Sequence, residues 1–320
     1  MRRRMWLVGV VLGLAVASPA HAAFPGDNGP LVLSGLDAAS GTVQIYRTEP
    51  AGGIATRVTT INGQVWNECP TWSSDGRLVY FDSFDRGVAG PSHIYRMTAT
   101  GGSRTLVDGQ NAPARVCPSV SKDGKQIAAI EYANDGSQGV VLMDADGSDA
   151  KIIATAGANQ NIYAPRFSPF GSRIVFNEVT YNGDQIVNAD VLLISAGGGI
   201  TNITRRFDDQ FFSPSWAPTG SAIVAVRGSA ADEIVRVSVL GTTVRSLIKV
   251  PGAVLSSPTF SPDGSKIAFL QCVGDCGDPQ LAGTGSLWVM DADGSDLTLI
   301  LDQTTAGMQP FGYVDWGVSP

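Results

Sequence analysis

Residues 257–270 read SPTFSPDGSKIAFL, and this stretch decides the fold because the chain repeats it. A short run that ends in a large apolar residue is followed by a Ser-Pro-Asp-Gly turn and then by a continuous apolar run. Proline presets the backbone for the second position of a tight turn, and glycine supplies a positive-φ position at the end of the turn. The stretch therefore predicts two antiparallel strands joined by a tight hairpin.

Four further copies of this pattern precede it. They read CPTWSSDGRLVYF at 69–81, CPSVSKDGKQIAAI at 117–130, APRFSPFGSRIVF at 164–176 and SPSWAPTGSAIVAV at 213–226. Their leading prolines recur every 44 to 49 residues, which is the period of a propeller blade. A variable loop, a third strand, a second Gly-containing turn and a fourth strand follow in each unit, and four strands make one blade.

A sixth unit is split between the two ends of the chain. Asn28-Gly29 and PLVLS at 30–34 begin it, and YVDWG at 313–317 ends it, with Trp316 at the place of the large apolar residue. We expect the C-terminal strand to be the innermost strand of a blade whose other three strands lie between Leu31 and Thr60. This closure leaves no open sheet edge. The sequence thus predicts an all-β, six-bladed propeller that forms one domain over residues 23–320.

The pattern P-x-[FW]-S-P-D-G-x-x-I-A-F, with its MDADG turns at 143–147 and 290–294, resembles the repeats of the TolB-like six-bladed propeller family. The resemblance covers essentially the whole of residues 23–320. It implies the propeller fold. It implies several functions, because propellers of this kind serve as translocation-associated proteins, peptidase accessory domains and ligand-binding modules.

Residues 1–22 have the pattern of a cleaved signal peptide. Three arginines at positions 2–4 precede an apolar run over 5–17, and Ala20-His21-Ala22 forms a small-x-small cleavage site. The apolar run is too short for a membrane span, which needs about 20 residues. We therefore expect a secreted or periplasmic protein without a membrane span.

The composition excludes several functions. The formal net charge is −7 and only 16% of the residues are charged, with no basic cluster beyond the leader, which argues against nucleic-acid binding. His93 is the one histidine outside the leader, so a metal site with several histidine ligands cannot form, and no G-x-S-x-G motif is present. No cofactor, metal or catalytic residue is predicted. No acid precedes or follows His93 closely, and we interpret it as a hydrogen-bonding residue at a loop end.

The motif MDADGSD occurs at 143–149 and again at 290–296, and its alternating acids invite a calcium interpretation. The spacing does not fit an EF-hand loop, because Gly147 and Gly294 come at the fourth position, where the EF-hand needs glycine at the sixth. Asp and Gly are ordinary turn residues, so a hairpin turn is the prediction.

Four cysteines in an exported chain predict disulfides. Cys272 and Cys276 lie in one loop, and we expect them to form a local bridge. Cys69 and Cys117 take equivalent places before the leading prolines of adjacent blades. In a six-fold ring, neighbouring equivalent points approach the ~7 Å Cα limit of a disulfide only near the axis, where both cysteines lie. A bridge between them is predicted, with two buried free thiols as the alternative.

The loops between blades and those between second and third strands share one face of the propeller, called here the loop face. Variable loops on a rigid scaffold are where binding usually resides. The residues expected there, as a partner-binding set, are Trp66, Glu68, Arg115, Tyr163, Phe207, Asp208, Asp209 and Phe211, with Asp82, Asp85, Arg86, Asp184 and Asp275 beside them. Solvated loop residues without a binding role are the alternative.

Aromatic residues mixed with acids suit a protein or cell-envelope component, and a glycan is a further candidate partner. The sequence therefore favours an exported, non-enzymatic binding or scaffold propeller. The alternative is a hydrolase or lyase that acts on a glycan or lactone through acidic residues at the channel mouth.

Overall fold

The computed structural model describes residues 24–60, 63–88, 90–133, 135–274 and 283–320. The predicted signal peptide, Asp275 and Cys276 lie outside these ranges. The described part of the chain forms six four-stranded sheets and a four-residue helix, α1 (Gln303–Ala306). No helix in these ranges is long and apolar enough to cross a membrane.

Each sheet is one blade of a propeller. Blade 1 contains β1 (Asn28–Asp37), β2 (Val43–Thr48), β3 (Thr56–Arg57) and β24 (Met308–Val318). Blade 2 contains β4 (Val65–Trp72), β5 (Leu78–Asp85), β6 (His93–Thr98) and β7 (Thr105–Leu106). Blade 3 contains β8 (Ala114–Val120), β9 (Gln126–Tyr132), β10 (Gln138–Asp144) and β11 (Lys151–Thr155).

The remaining blades follow the same order. Blade 4 contains β12 (Gln160–Phe167), β13 (Ile174–Asn182), β14 (Gln185–Ile194) and β15 (Ile200–Asn202). Blade 5 contains β16 (Phe211–Trp216), β17 (Ala222–Arg227), β18 (Glu233–Ser238) and β19 (Val244–Lys249). Blade 6 contains β20 (Val254–Phe260), β21 (Lys266–Val273), β22 (Thr284–Asp291) and β23 (Thr298–Asp302).

The ring closes through the two ends of the chain, as the split repeat predicts. Blade 1 has the strand order β24-β1-β2-β3, with Trp316 opposite Leu31 and Asp315 opposite Val32. The blade begins slightly earlier than predicted, at Asn28, which lies opposite Val318. All the strand pairs are antiparallel, so the predicted all-β, six-bladed propeller with four strands per blade is confirmed.

The hairpin turns between first and second strands are stabilised by their own side chains. In blade 6 the Ser261 hydroxyl donates to Asp263 Oδ1 at 2.6 Å and accepts from the Lys266 amide at 2.9 Å. Gly264 has φ +70°, which a glycine adopts without the steric cost that other residues carry. These turns lie on the face opposite the loop face, called here the turn face.

The MDADGSD segments are turns on the same face. Asp146 Oδ1 accepts from Ser148 N at 3.0 Å and from Ser148 Oγ at 2.6 Å, and Asp293 does the same with Ser295 at the same distances. Each carboxylate is used inside its own turn. The hairpin interpretation of these motifs is therefore confirmed.

The hydrophobic core lies between neighbouring blades. The ring of Trp72, at the end of β4, packs with Val32 and Ile45 of blade 1 and with Phe81 and Met97 of blade 2. Trp216 of blade 5 occupies the same place against blade 4. The large residue that ends each inner strand is thus the contact that joins successive blades.

Candidate functional site

Five of the six innermost strands carry the same bulge near the propeller axis. The residue before the leading proline has a positive φ in each: 47° at Cys69, 52° at Cys117, 49° at Ala164, 50° at Ser213 and 48° at Ser257. A non-glycine residue pays roughly 1–2 kcal/mol for this conformation, so its repetition marks an imposed geometry. In blade 1 the irregularity is longer and Gly312 takes the positive φ of 75°.

Two neighbouring bulges are covalently joined. Cys69 and Cys117 form a disulfide with a Cα–Cα distance of 4.8 Å. Inner strands approach this closely only near the axis, so the bridge forms where the sequence predicts it. The predicted Cys272–Cys276 bridge stays a prediction, because Cys276 lies outside the described residues.

A small space lies near the axis at the level of the bulges. It is lined by residues that include Arg166, Ser215, Thr259 and Asp315, and its volume is about 10 Å³, which is room for about one water molecule. An organic ligand does not fit into this space.

Two adjoining cavities open on the loop face, and we call them together the mouth cleft. One has a volume of about 250 Å³ and the other about 340 Å³, and both are lined by Ser213 and Tyr313. The first cavity is completed by Tyr163, Ala164, Asn177, Val179, Tyr181, Ile186 and Phe212. The second is completed by Val254, Ser256, Ser257, Leu270, Gln271, Cys272, Gln309, Pro310 and Gly312.

A long hairpin stands beside the first cavity. It is formed by the ends of β13 and β14, which are joined by only Gly183 and Asp184, and we call its exposed tip, residues 182–188, the hairpin arm. Ile186 is 41% exposed and Val187 is 53% exposed. The Asn-Gly pair at 182–183 is a strong hairpin signal, and sequence analysis could have used it to predict this arm.

Two tyrosines face each other in the first cavity. The hydroxyls of Tyr163 and Tyr181 lie 3.0 Å apart, and Asn161 Nδ2 donates to Tyr163 at 3.1 Å. Burial, followed by the hydrogen bond from Tyr163, raises the pKa of Tyr181 to about 12. The Tyr181 phenol therefore stays protonated and acts as a neutral hydrogen-bonding group in the cleft.

Two acids lie opposite each other on β4 and β5 near the same mouth. Glu68 and Asp82 are cross-strand partners, a pairing that costs free energy when both are charged. Burial and the charge of Asp82 together raise the pKa of Glu68 to about 7, against the opposing effect of Arg86. Burial also raises the pKa of Asp82 to about 6.

Asp82 has a structural role in addition. Its Oδ1 accepts from the backbone amide of Cys117 at 2.9 Å, which anchors the bulge of blade 3. At the equivalent place of blade 4, Asn177 Oδ1 accepts from Ser213 N at 2.7 Å and anchors the bulge of blade 5. One amide-anchoring position is thus filled by an acid in blade 2 and by an amide in blade 4.

The predicted partner-binding residues divide into exposed and buried groups. Asp208 and Asp209 are exposed, and Tyr163 lines the mouth cleft. Trp66 is only 4% exposed and lies under the guanidinium of Arg86, 4.0 Å from its ring centre. Phe211 is 0% exposed.

Phe211 packs on Phe207, with ring centres 6.0 Å apart. The expectation that the loop face presents Trp66 and Phe211 is therefore wrong. Loop residues cover both rings, and their positions could not be read from the strand pattern.

Arg115 is also buried, between blades 2 and 3, where its Nη2 lies 2.9 Å from Glu131 Oε2. His93 lies in the same interface, and its Nδ1 is 3.4 Å from Asp108 Oδ1. The interpretation of His93 as lacking an acid nearby is wrong, because the segment after β7 returns to the start of β6. These four residues form a buried interface, away from the mouth cleft.

Within the described ranges, one group brings three candidate metal-ligating atoms together: Cys69, Asp82 and Cys117. Both sulfurs are bonded to each other in the disulfide. They are therefore not free to coordinate a metal.

Comparison with known proteins identifies the family of this propeller. The family model described as the TolB beta propeller domain matches residues 17–195, more than half of the chain. The chain belongs to the TolB β-propeller family.

Among curated proteins of this family, the Tol-Pal system protein TolB of Francisella tularensis subsp. tularensis (strain WY96-3418) is similar to the chain. The two are 27% identical over 203 residues, which is 63% of this chain and 44% of that protein. The chain thus matches less than half the length of this TolB.

Solved structures show the same architecture. TolB from Acinetobacter baumannii has a TM-score of 0.67 at 19% identity and covers 92% of this chain and 68% of its own. An oligogalacturonate lyase from Vibrio parahaemolyticus has a TM-score of 0.52 at 14% identity, with 90% of this chain and 80% of its own covered. At these identities the likeness shows the fold alone, which TolB-like propellers share with enzymes.

Proposed function

We propose that this protein is an exported, periplasmic binding propeller whose mouth cleft and hairpin arm receive a segment of a cell-envelope protein. The observation that carries the proposal is the pair of adjoining cavities, one of which is lined by the exposed Ile186, whose neighbour in the hairpin arm, Val187, is exposed as well. Apolar side chains exposed around a concave, rigid site are typical of interaction surfaces.

The electrostatics of the mouth favour a segment with an apolar anchor and a cationic group. Glu68 and Glu178 lie at this end of their blades, and burial raises the pKa of both. A positive side chain placed beside them would stabilise their charged forms. The net charge of −7 also attracts a cationic partner at longer range.

The family relationship supports a role in a protein assembly. The curated relative is named a Tol-Pal system protein. The predicted signal peptide at 1–22 supports export of this chain. Because less than half of that relative is matched, the proposal is limited to binding by the propeller itself.

An enzyme is the second candidate, since Glu68 and Asp82 form a pair of acids with raised pKa values. Asp82 is fully buried and its Oδ1 already holds the Cys117 amide, which supports a structural role for it. We therefore favour binding over hydrolysis or lysis of a glycan or lactone. Turnover of such a substrate that is lost in Asp82→Asn and Glu68→Gln would reverse this preference.

The binding proposal is tested by site-specific photocrosslinking. A photoreactive phenylalanine analogue at position 188 in the hairpin arm is exposed to envelope extract from the source cells, and crosslinked proteins are identified by mass spectrometry. We expect one or a few envelope proteins to be crosslinked to the otherwise wild-type chain. The double variant Ile186→Asp, Val187→Asp should lose these products because it places charges on the apolar anchor site.

The matched control is Leu240→Asp, which changes a leucine that is 79% exposed on the turn face. We expect this variant to retain the crosslinked products. Equal products from the double variant and the wild type, or loss of products only in the Leu240 variant, would contradict the proposal.

A further inference from the structure

A further cavity, separate from the two of the mouth cleft, lies at the rim of the propeller between blades 1 and 2. Its volume is about 310 Å³, within the range of small-molecule pockets. It is lined by Thr59, Thr60, Asn67, Phe81, Met97, Gly102, Ser103 and Arg104, and we call it the rim pocket. The outer strands β3 and β7 are only two residues long, which leaves this pocket open at the side.

The turn at the wall of the rim pocket contains a glycine that packs on the preceding blade, and other blades have the same glycine. Gly101, in the turn before β7, packs against the backbone of Val58, where an added Cβ would lie 2.5 Å from the carbonyl oxygen. Gly147, Gly241 and Gly294 pack in the same way on the preceding blades. Three residues after these glycines come Ala150, Val244 and Leu297, whereas blade 2 has Arg104. Among these four blades, only blade 2 therefore has a charged residue at this position.

The guanidinium of Arg104 is held in position. It stacks on the ring of Tyr95 at 4.4 Å, and its Nη1 donates to Ser83 Oγ at 2.6 Å. Asn67 Oδ1 lies 3.4 Å from the same nitrogen. Both Ser83 and Asn67 are buried, so the arginine reaches from the rim to a buried polar layer.

The positive charge of Arg104 has no partner among the residues that the structure describes. No carboxylate in these ranges forms an ion pair with it. Its hydrogen bonds to side chains in these ranges, those to Ser83 and Asn67, are both made by Nη1. An arginine fork that is fixed at one nitrogen presents its other N–H groups for planar, bidentate contact with an anion.

The innermost part of the rim pocket is apolar. It consists of Phe81 and Met97, which neighbouring residues cover almost completely. Thr60 and Ser103 are exposed at the edge of the pocket, whereas the Thr59 hydroxyl is buried and donates to Gln44. One arginine, an apolar floor and a polar edge suit a monoanion with a small apolar body, whereas a doubly charged phosphate would call for further cations.

We propose that the rim pocket binds a small organic carboxylate, whose anionic group pairs with Arg104 and whose apolar part enters the pocket toward Phe81 and Met97. The carboxylate can belong to a free acid or to the C-terminus of a peptide. This site is separate from the mouth cleft and does not depend on the function proposed for the mouth.

The proposal is tested by ligand-observed NMR titration of the full protein. Benzoate represents a free acid and N-acetylphenylalanine a peptide C-terminus, and benzamide and N-acetylphenylalaninamide are their uncharged counterparts. We expect at least one carboxylate to bind saturably at millimolar concentration or below, and its amide to bind at least about tenfold more weakly, because charge-assisted hydrogen bonds are lost. The stronger of the two carboxylates identifies the source.

Two variants and a control locate the binding. Arg104→Gln should weaken carboxylate binding at least about tenfold, and Ser103→Trp should abolish it by filling the pocket while it keeps the arginine. Arg245→Gln, at an exposed arginine of blade 5, should leave binding unchanged. Thermal unfolding checks that each variant is folded.

The proposal is overturned by any of three results. These are the absence of saturable binding of both carboxylates, equal binding of acids and amides, and unchanged affinity in both Arg104→Gln and Ser103→Trp. Displacement of the bound carboxylate by inorganic phosphate at equal concentration would overturn the assignment of the apolar floor.

Discussion

Asp82 accepts a 2.9 Å hydrogen bond from the backbone amide of Cys117, so a buried acid of blade 2 anchors the bulge of blade 3. Asn177 makes the equivalent contact to Ser213 in the next pair of blades but one, with an uncharged side chain. Asn177 shows that an uncharged amide side chain anchors a bulge in this propeller. The charge of Asp82 is not needed to hold the bulge.

We predict that Asp82→Asn raises the free energy of unfolding at pH 8 by about 1 kcal/mol or more, because it keeps the acceptor and removes a buried charge. Asp82→Ala should lower it by about 1–3 kcal/mol, because the Cys117 amide loses its partner. Urea unfolding of the three proteins measures both effects. The idea is wrong if the asparagine variant is as unstable as the alanine variant.

The raised pKa of Asp82 also predicts that the free energy of unfolding depends on pH. The folded protein keeps a proton on Asp82 up to a pKa of about 6, whereas the unfolded chain loses it near 3.8. The folded state thus binds more protons between these values, and the wild-type free energy of unfolding must fall as the pH rises through this window. In Asp82→Asn this part of the decrease should disappear.

Glu68 extends this decrease to higher pH. Its pKa is raised from 4.5 to about 7 by burial and by the charge of Asp82. Stability contributed by the protonated form is present below about pH 4.5 and is lost as the pH approaches 7, so Glu68→Gln should be more stable than wild type at pH 8 and no more stable at pH 4. Equal stability of Glu68→Gln and wild type at pH 8 would contradict this prediction.

Removal of the Cys69–Cys117 bridge should lower the free energy of unfolding by about 2–4 kcal/mol, because the bridge closes a long loop in the unfolded chain. The two cysteines are 48 residues apart in sequence. Urea unfolding of Cys69→Ala, Cys117→Ala against wild type measures this loss. The variant keeps Cys272 and Cys276, so a remaining effect of reductant on it reports on that predicted second pair.

Gly317→Val should prevent normal closure of the ring. A Cβ at position 317 would lie 2.7 Å from atoms of the Trp72 ring, which is fully enclosed between blades and cannot move aside. We expect a loss of about 3 kcal/mol or more, comparable with overpacking of a core, and faster proteolysis at β1. Ser319→Val, at an exposed neighbour, is the control and should behave as wild type.

The fold could be predicted in detail because every blade obeys the same local rules. The Ser-Pro-Asp-Gly turn and the apolar run after it specify one hairpin, and its repetition specifies the rest. The closure and the Cys69–Cys117 bridge followed from the equivalence of positions in successive units. Neither inference needed knowledge of side-chain contacts.

The candidate site could be predicted only in part, because its members come from different blades. Tyr163 was identified from its place at the start of an inner strand. The burial of Trp66 depends on Arg86, which arrives from a loop 20 residues later, and that of Phe211 depends on Phe207. Tyr313 and Ile186 were missed as site residues, although the register of the closing strand and the Asn-Gly hairpin contained the signals for them.

The rim pocket could not be predicted at all. It depends on the shortness of β3 and β7 and on the direction that Arg104 takes across the interface. Strand lengths at the outer edge vary between blades, since they carry little of the apolar pattern that specifies the inner strands.

The pairing of β1 with β24 determines the order in which the blades can be completed. Asn28 lies opposite Val318, so the first strand to leave the ribosome or a translocation pore must wait for the last one. Blades 2 to 6 draw their strands from consecutive sequence and can form as they emerge, whereas blade 1 stays incomplete until β24 has emerged. Contacts this distant in sequence are slow to form. During assembly the inner edge of β1 is therefore unpaired, and it stays so until β24 arrives.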